Sequence, residues 1–239
     1  MDEGIKMNER YSRQESVVSE DKLKDAKVLI CGLGAVGSTI ADLLARIGVG
    51  IVYLLEYDTV ELHNIAGQRF KEEDVGKPKA NVMETELKKI NSEITVFGMN
   101  MKLTKEDQLP KDLDYVFSCV DNYTARKIMS DYQKRINKKV IILDGGLNTA
   151  TTGTNQMYIK GKNKITDFYP KLNEKLQQEQ RTTCTGELIP SLVTTTTVLG
   201  ALRVHQFLQH LMDGREYLDL MNVALGRKIS VDYFSKGGI

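Results

Sequence analysis

The chain has 239 residues, of which 41% are hydrophobic and 27% charged, and its net charge is +1. These values are typical of one globular domain, so we expect residues 1–239 to form a single unit; the near-zero charge excludes a general attraction to nucleic acid or membranes. No apolar run approaches the roughly 20 residues of a membrane span, and residues 1–10 contain no apolar signal region, so we expect a cytoplasmic protein.

A polar, charged lead-in covers residues 10–27 and is predicted to form an N-terminal arm that is helical in part. Arg10, Arg13 and Gln14 stand out in it. Taken alone, such a segment is most simply interpreted as a solvated helix.

A strand, a turn and a helix follow. Four apolar residues precede Gly32, Gly34 and Gly37, whose spacing is that of a phosphate-binding turn. Gly32 permits the tight turn, Gly34 admits a ligand to bare backbone, and Gly37 lets the helix pack on the strand. A helical pattern up to residue 47 leads to a second strand that ends at Glu56, an acid that can accept from ribose hydroxyls while phosphates lie at the helix N-terminus. The stretch predicts a nucleotide site without identifying the nucleotide.

A polar, irregular loop is expected after the second strand, and it contains Asp58, Asn64 and Arg69. A helix over residues 79–90 comes next, and a third strand follows it. Lys79 is the first residue of this helix. Taken alone it would be interpreted as a solvated lysine, because most lysines are exposed.

Residues 113–120 are apolar in part and lead to Asp121 and Asn122, before a helix over residues 124–136 and a short strand over residues 139–143. Alternating strands and helices predict an α/β fold with a doubly wound, mostly parallel, Rossmann-like sheet. Ligands of such sheets lie at the carboxyl ends of the strands, so the glycine turn, the acid after the second strand and Asp121 are expected to face one crevice. A helix N-cap is the alternative role for Asp121.

A smaller C-terminal β region and one long helix are expected in the rest of the chain. Residues 153–160 are interpreted as the start of a second sheet region, and most of the polar stretch 162–183 as a mobile crossover loop. A helix is predicted over residues 194–211, and closing strands within residues 213–239.

The three cysteines, Cys31, Cys119 and Cys184, are far apart, and the three histidines are scattered. This arrangement excludes a disulfide framework and predicts no zinc site, since structural zinc needs about four clustered ligands. Cys31 in a buried strand and Cys119 at a strand end are interpreted as structural. Cys184 lies in a polar stretch near Arg181, as a reactive thiol would, and an inert loop cysteine is the alternative.

Several of these stretches together resemble the ubiquitin-activating-enzyme-like superfamily that includes MoeB and ThiF, over roughly residues 10–211. The motifs that carry the resemblance are Arg10-Tyr11-Ser12-Arg13-Gln14, the glycine turn, Glu56-Tyr57-Asp58-Thr59-Val60, Asn64, Gly76-Lys77-Pro78-Lys79 and Ser118-Cys119-Val120-Asp121-Asn122. The last motif with Arg126 after it, and Cys184 followed by Pro190, look most like the small enzyme that activates the ubiquitin-fold modifier.

The resemblance implies an adenylation domain. In that family, ATP and the C-terminal carboxylate of a ubiquitin-like protein ending in Gly-Gly give an acyl adenylate and pyrophosphate. The resemblance implies that Lys79 contacts the phosphates and that Arg13 reaches the triphosphate of the neighbouring subunit in a homodimer. It implies that Asp121 holds Mg²⁺ and that Glu56 binds the ribose, with Asp58 in the same nucleotide site. Asn64 and Asn122 would hydrogen-bond the nucleotide or the incoming tail. It also implies a thioester on Cys184, and then a conjugating enzyme as a possible partner.

The sequence departs from the family pattern in three places. Glu56 stands where the family usually has Asp. Gly67 stands where the family has an arginine, and Arg69, two positions later, is the expected substitute. The zinc cysteines of MoeB and ThiF are missing.

Three other interpretations remain open. An enzyme of the same superfamily can stop at the adenylate and pass it to a sulfur donor. The glycine turn alone also fits an NAD-dependent dehydrogenase, although no obvious hydride-transfer acid is present. Finally, Gly67 fits a non-catalytic subunit that supports an active partner.

Overall fold

The computed structural model of the chain describes residues 9–136, 139–163, 192–226 and 229–234, apart from the side chain of residue 234. Strands and helices alternate in its first half, as predicted. The elements are α1 (Glu20–Asp25), β1 (Lys27–Cys31), α2 (Ala35–Ile47), β2 (Ile51–Glu56), α3 (Lys79–Ile90), β3 (Thr95–Asn100), β4 (Tyr115–Ser118), α4 (Tyr123–Arg135), β5 (Ile141–Thr149), β6 (Thr152–Ile159), α5 (Val193–Asp213), β7 (Leu220–Leu225) and β8 (Ile229–Phe234). Single-turn 3-10 helices lie at Glu9–Tyr11, Leu62–Asn64, Glu72–Asp74 and Glu106–Gln108.

One sheet of eight strands, in the order β3-β2-β1-β4-β5-β6-β7-β8, forms the centre of the fold. The pairs among the first five strands of this order are parallel, and the remaining three pairs are antiparallel. The predicted doubly wound, mostly parallel α/β fold is therefore confirmed.

The C-terminal strands differ from the expectation of a second sheet region. β6 pairs directly with β5, with Met157 opposite Leu143, and β7 and β8 extend the same sheet. The partner strand also lengthens β5, which continues through Asp144 to Thr149 instead of ending at residue 143. Antiparallel neighbours need only a tight turn, which is how β5 leads into β6, whereas α5 lies between β6 and β7.

Helices cover both faces of the sheet. On one face α2, α3 and α5 pack on alternate residues of the central strands, such as Val28 and Ile30. On the other face α4 packs on the intervening residues, such as Leu29 and Val116. Since β1 is buried on both faces, its near-continuous apolar sequence is what a central parallel strand requires.

Helix α2 ends at Ile47, as its sequence predicts, and its start at Ala35 lies inside the glycine turn. It is capped by Gly34 and by Gly48, which has a φ of 89° in the left-handed region that glycine tolerates. As a result, the N-terminus of α2 lies at the carboxyl end of β1, where the predicted ligand crevice should be.

Two further expectations concern a membrane span and the crossover loop. None of the described helices is both long enough and apolar enough to cross a lipid bilayer. Residues 164–191, which include most of the predicted crossover loop and Cys184, lie outside the described part of the structure.

Candidate nucleotide site

The glycine turn combines two tightly packed positions with one open position. A Cβ atom at Gly32, whose φ is 93°, would lie 2.6 Å from the carbonyl oxygen of Cys119, and a Cβ atom at Gly37 would overlap with the carbonyl oxygen of Gly32. A Cβ atom at Gly34 would meet nothing within 4 Å. Gly32 and Gly37 therefore serve packing, whereas Gly34 leaves a face of bare backbone open to a ligand.

The N-terminus of α2 opens onto the same face. Gly34 is its N-cap and supplies no side chain, and the first turn contains no acidic residue. The first backbone N–H groups of a helix have no carbonyl partner within the helix, and they carry the positive end of the helix dipole. This end of α2 is suited to an anion such as a phosphate group.

Glu56 holds the turn in place. Its side chain is 7% exposed; Oε2 accepts a hydrogen bond from the backbone N–H of Leu33 at 2.8 Å, and Oε1 accepts from those of Tyr57 at 2.8 Å and Asp58 at 3.1 Å. The carboxylate thus ties the end of β2 to the glycine turn. This tether was not predicted from the sequence, and the contact of Glu56 with a ribose stays a prediction.

Lys79 is buried, in contrast to the solvated lysine that its position alone would suggest. The residue is 5% exposed at the start of α3, and its ammonium nitrogen lies 3.7 Å from Oδ2 of Asp58. Its backbone N–H also donates to the carbonyl oxygen of Asp58 at 3.0 Å. The amine is therefore directed into the protein beside the loop that follows β2.

The electrostatic surroundings of Asp58 connect the loop after β2 with the loop after β4. Burial, and next the charge of Glu56, raise the pKa of the Asp58 carboxyl group; Lys79 opposes this shift, and Asp121 adds to it. Charges interact in this way only when they are close. Lys79 and Asp121, which are far apart in sequence, thus act on the same carboxylate.

Asp121 and Asn122 share the end of β4, but the N-cap of α4 is Asn122. Its Oδ1 accepts from the backbone N–H of Ala125 at 2.8 Å, and its Nδ2 donates to Oδ1 of Asp121 at 3.4 Å. The alternative role considered for Asp121, a helix cap, is therefore wrong. Asp121 is exposed after the strand end, and its role as a ligand of Mg²⁺ stays a prediction.

Asn64 and Arg69 lie in the loop between β2 and α3. Asn64 is buried, and its Oδ1 accepts from the backbone N–H of Glu61 at 2.9 Å, so this oxygen stabilises the loop. The exposed Arg69 donates from its backbone to Oγ of Ser38 at 3.1 Å, which places it beside the first turns of α2. Its Nη2 donates to Oγ1 of Thr197 at 3.2 Å. Nucleotide contacts of Asn64, Arg69 and Asn122 stay predictions.

The N-terminal arm contacts the opposite ends of the two helices that start at the site. Arg10 donates to the carbonyl oxygen of the last residue of α3, and Gln14 donates to that of the last residue of α2, each at 2.9 Å. Tyr11, between them, is buried. Arg13 is exposed. The arm is thus held about one helix length away from the glycine turn of its own chain.

The described cysteines are poor nucleophiles. Cys31 is buried, and burial raises the pKa of its thiol well above the ordinary value. Burial also raises the pKa of Cys119 to about 11. Within the described ranges, no three His, Cys, Asp or Glu side chains come together as metal ligands.

The sequence is similar to a known family and to several known proteins. The sequence model of the ThiF family matches residues 11–229. Ubiquitin-like modifier-activating enzyme 5 of Dictyostelium discoideum is 28% identical over 232 residues, which are 90% of this chain and 59% of that protein. Sulfur carrier protein ThiS adenylyltransferase of Bacillus subtilis (strain 168) is 38% identical over 135 residues, which are 52% of this chain and 40% of that protein. The chain therefore spans less than two thirds of the length of either relative.

Solved structures share the fold. A crystal structure of E. coli MccB with AMPCPP and selenomethionine MccA has a TM-score of 0.80 and 24% identity, and covers 97% of this chain and 72% of that chain. A crystal structure of E. coli MccB with ATP has a TM-score of 0.79 and 24% identity, and covers 96% of this chain and 72% of that chain.

Proposed function

The chain belongs to the ThiF family, and from this premise we propose that it uses ATP and Mg²⁺ to adenylate the C-terminal carboxylate of a ubiquitin-like or sulfur-carrier protein that ends in Gly-Gly. The observation that carries the proposal is the buried ammonium group of Lys79 at the carboxyl ends of the strands. A buried lysine beside a loop that Glu56 ties to the open glycine turn is suited to phosphate chemistry.

The residues present fit a magnesium-bound triphosphate. The open face at Gly34 and the N-terminus of α2 would hold phosphate oxygens, with Lys79 as a compact positive charge and Arg69 beside the same helix. Asp121 would hold Mg²⁺, which prefers carboxylate and phosphate oxygens and neutralises phosphate charge when bound.

The proposed reaction is a substitution at phosphorus. An oxygen of the terminal carboxylate forms a bond to the α-phosphorus, the bond from that phosphorus to the bridging oxygen breaks, and pyrophosphate leaves with the electron pair. Both reactants are negatively charged, so the contribution of the protein is to position them and to stabilise the charge. Lys79 and the N–H groups of the glycine turn supply that stabilisation.

Arg13 is proposed to act on the nucleotide of a second copy of the chain. Helix α2 has 13 residues and is therefore about 20 Å long, and the arm that carries Arg13 lies at its far end. That separation is too large for a side chain to reach the glycine turn of its own chain. A homodimer in which each arm completes the other site would give the exposed Arg13 a role.

A thioester on Cys184 is the proposed second step. Its thiolate would attack the carbonyl carbon of the adenylate, and the bond from that carbon to the oxygen of AMP would break. A conjugating enzyme would then receive the acyl group. The name of the Dictyostelium relative favours this route, whereas that of the Bacillus relative favours adenylation for a sulfur carrier. Cys184→Ser separates the two, because it should abolish a thiol-sensitive conjugate and leave adenylation intact.

ATP–pyrophosphate exchange with purified candidate carriers tests the proposal. We expect exchange that requires both Mg²⁺ and a carrier with a free terminal Gly-Gly, and no exchange when the terminal glycine is removed. ATP with Mg²⁺ should also raise the unfolding temperature, and NAD should not. Stabilisation by NAD alone would support a dehydrogenase. Binding of ATP without exchange for any carrier would support a non-catalytic subunit, which Gly67 favours.

A further inference from the structure

Arg203 is a fully buried arginine in the middle of α5, on the helix face that packs against the sheet. Its Nε and Nη2 donate to Oδ1 of Asn155 on β6, at 3.0 Å and 2.8 Å. Its Nη1 donates to the backbone carbonyl oxygen of Ser118 at 3.0 Å and lies 3.5 Å from Sγ of Cys119. One guanidinium therefore joins α5, β6 and the end of β4.

An apolar side chain would fill this space at lower cost. Burial of a charged group is unfavourable unless its N–H groups are paired, and replacement of buried ionic groups by apolar residues is often neutral or stabilising. The neighbouring inward-facing residues of α5, Leu199 and Phe207, are apolar as expected for a core. What an apolar residue cannot do at position 203 is bind the carbonyl oxygen of Ser118.

The segment that receives this hydrogen bond, residues 118–122, carries the candidate ligand of Mg²⁺. Ser118 is the last residue of β4, and Asp121 follows three positions later. From the other face of the sheet, Oγ of Ser118 donates to the buried Asp144 at 2.6 Å, and Arg126 holds the same carboxylate oxygen at 3.1 Å. Ser118, at the start of segment 118–122, is thus held from both faces, and Arg203 supplies the hydrogen bond from the α5 side.

The same segment also supports the glycine turn. The carbonyl oxygen of Cys119 lies so close to Gly32 that a Cβ atom there would be 2.6 Å away, and Cβ of Cys119 would be 3.1 Å from one at Gly37. A shift of the segment would therefore move both the carboxylate of Asp121 and the backbone that faces the phosphates.

We propose that Arg203 is a positioning residue of the adenylation site, which fixes segment 118–122 so that Asp121 meets the magnesium-bound nucleotide in the right place. The inference rests on the proposed function. Loss of a residue that orients a metal ligand typically lowers metal affinity by 10-fold to 100-fold. Arg203 itself would touch neither the nucleotide nor the ion.

The test compares Arg203→Met and Arg203→Lys with Val204→Ala. Val204 is the next residue of α5 and is buried in the apolar core, so its truncation destabilises the same helix without a change at Ser118. In pyrophosphate exchange at saturating carrier, Arg203→Met should raise the Mg²⁺ concentration for half-maximal rate by about tenfold or more. Arg203→Lys should recover part of this loss, and Val204→Ala should leave the Mg²⁺ requirement unchanged. Equal Mg²⁺ requirements for Arg203→Met and Val204→Ala would overturn the proposal.

Hydrogen–deuterium exchange of the whole chain without nucleotide separates this inference from the proposed function. Arg203→Met should speed the exchange of amides in segment 118–122 more than Val204→Ala does, even if the wild type shows no pyrophosphate exchange with any carrier. If Arg203→Met leaves the amide protection of this segment unchanged, the inference is wrong. If Arg203→Met does not fold, the same exchange experiment is made with Asn155→Ser. This variant keeps the arginine but removes the Oδ1 that accepts from its Nε and Nη2.

Discussion

The carboxylate of Asp58 lies 3.7 Å from the ammonium nitrogen of Lys79, across the entrance to the helix that Lys79 begins. The two side chains are unequal in exposure, at 6% for Lys79 and 50% for Asp58. The amine is thus fixed inside the protein, while its acidic neighbour faces solvent. In the proposed function, the triphosphate would take the place of this neighbour beside the amine.

Lys79→Met should lower pyrophosphate exchange by about 100-fold to 1,000-fold, the usual effect of removing one group that stabilises transition-state charge. The fold should survive, because an apolar side chain fits a buried position. Lys79→Arg should not restore the rate, since the planar guanidinium differs in size and geometry from the compact ammonium group. Lys77→Met is the matched control, because Lys77 is 57% exposed, and it should keep nearly full activity. Comparable rates for the two methionine variants would remove Lys79 from the mechanism.

Gly34→Ala should lower the affinity for ATP, whereas Gly37→Ala should lower the stability of the fold. At Gly34 a methyl group meets no protein atom within 4 Å, so the unfolding temperature should stay close to that of the wild type. The methyl group occupies the open face, and ATP affinity should fall by about tenfold or more, which is at least about 1.4 kcal/mol. At Gly37 the methyl group overlaps with the turn, and the protein should be strongly destabilised. Titration of ATP and thermal unfolding of both variants test this pair, and normal ATP affinity in Gly34→Ala would place the phosphates elsewhere.

Arg13→Ala and Lys79→Ala should each be inactive as pure proteins and should regain activity when mixed. In a twofold symmetric dimer with one chain of each kind, one of the two sites has both residues. Random exchange of subunits therefore gives about a quarter of the wild-type rate. Pyrophosphate exchange after refolding the two variants together measures the recovery. Recovery near zero would mean that Arg13 acts within its own chain, and a pure Arg13→Ala protein that is active would mean that Arg13 has no catalytic role.

His210→Asn should flatten the loss of stability in mild acid. His210 Nδ1 lies 2.8 Å from the hydroxyl oxygen of Tyr115. Burial and then the nearby Lys139 lower the pKa of His210; Lys162 acts in the same direction, and Glu216 and Asp213 oppose it. The unfolded chain therefore binds a proton at this residue more readily than the folded protein does. Stability should be complete above the unfolded pKa of about 6.5 and should decline as the pH falls through the lower folded value.

Urea unfolding at pH 7.5, 6.5 and 5.5 measures this decline, and the comparison concerns its slope with pH, not absolute stability. His205→Asn is the control, because His205 is an exposed residue of the same helix, and its profile should follow the wild type. Parallel slopes for the wild type and His210→Asn would show that another group causes the acid sensitivity.

Much of the fold could be predicted because its signals are local. The helix from Ala35 to Ile47 lies between glycines that start and stop it, and β1 is recognisable as an apolar run before a turn. The sheet membership of β6 could not be predicted in this way. Its pairing with β5 depends on a register between strands, and residues 153–160 carry no mark that distinguishes one sheet from two.

In the candidate site, too, the local features could be predicted and the long-range contacts could not. The motifs place Gly34, Lys79 and Asp121 at strand ends or helix starts, which is a local property. The contacts that hold these groups join distant residues: Leu33 with Glu56, and Ser118 with Arg203, which are 85 positions apart. The sequence suggested Asp121 as a possible N-cap, but the cap is Asn122; both residue types cap well, and they differ by a single position.

The packing of α5 on the first half of the sheet has a consequence for biosynthesis. Phe207 stands edge-on to Tyr115 and Phe117, with ring centroids 4.7 Å and 5.7 Å apart. These two aromatic residues leave the ribosome long before Phe207 does. A nascent chain that already has every predicted nucleotide motif would therefore still expose Tyr115 and Phe117, and chaperones could bind them. Folding of the candidate nucleotide site should therefore be completed late in translation, and ribosome stalling before residue 193 should give products that cells degrade.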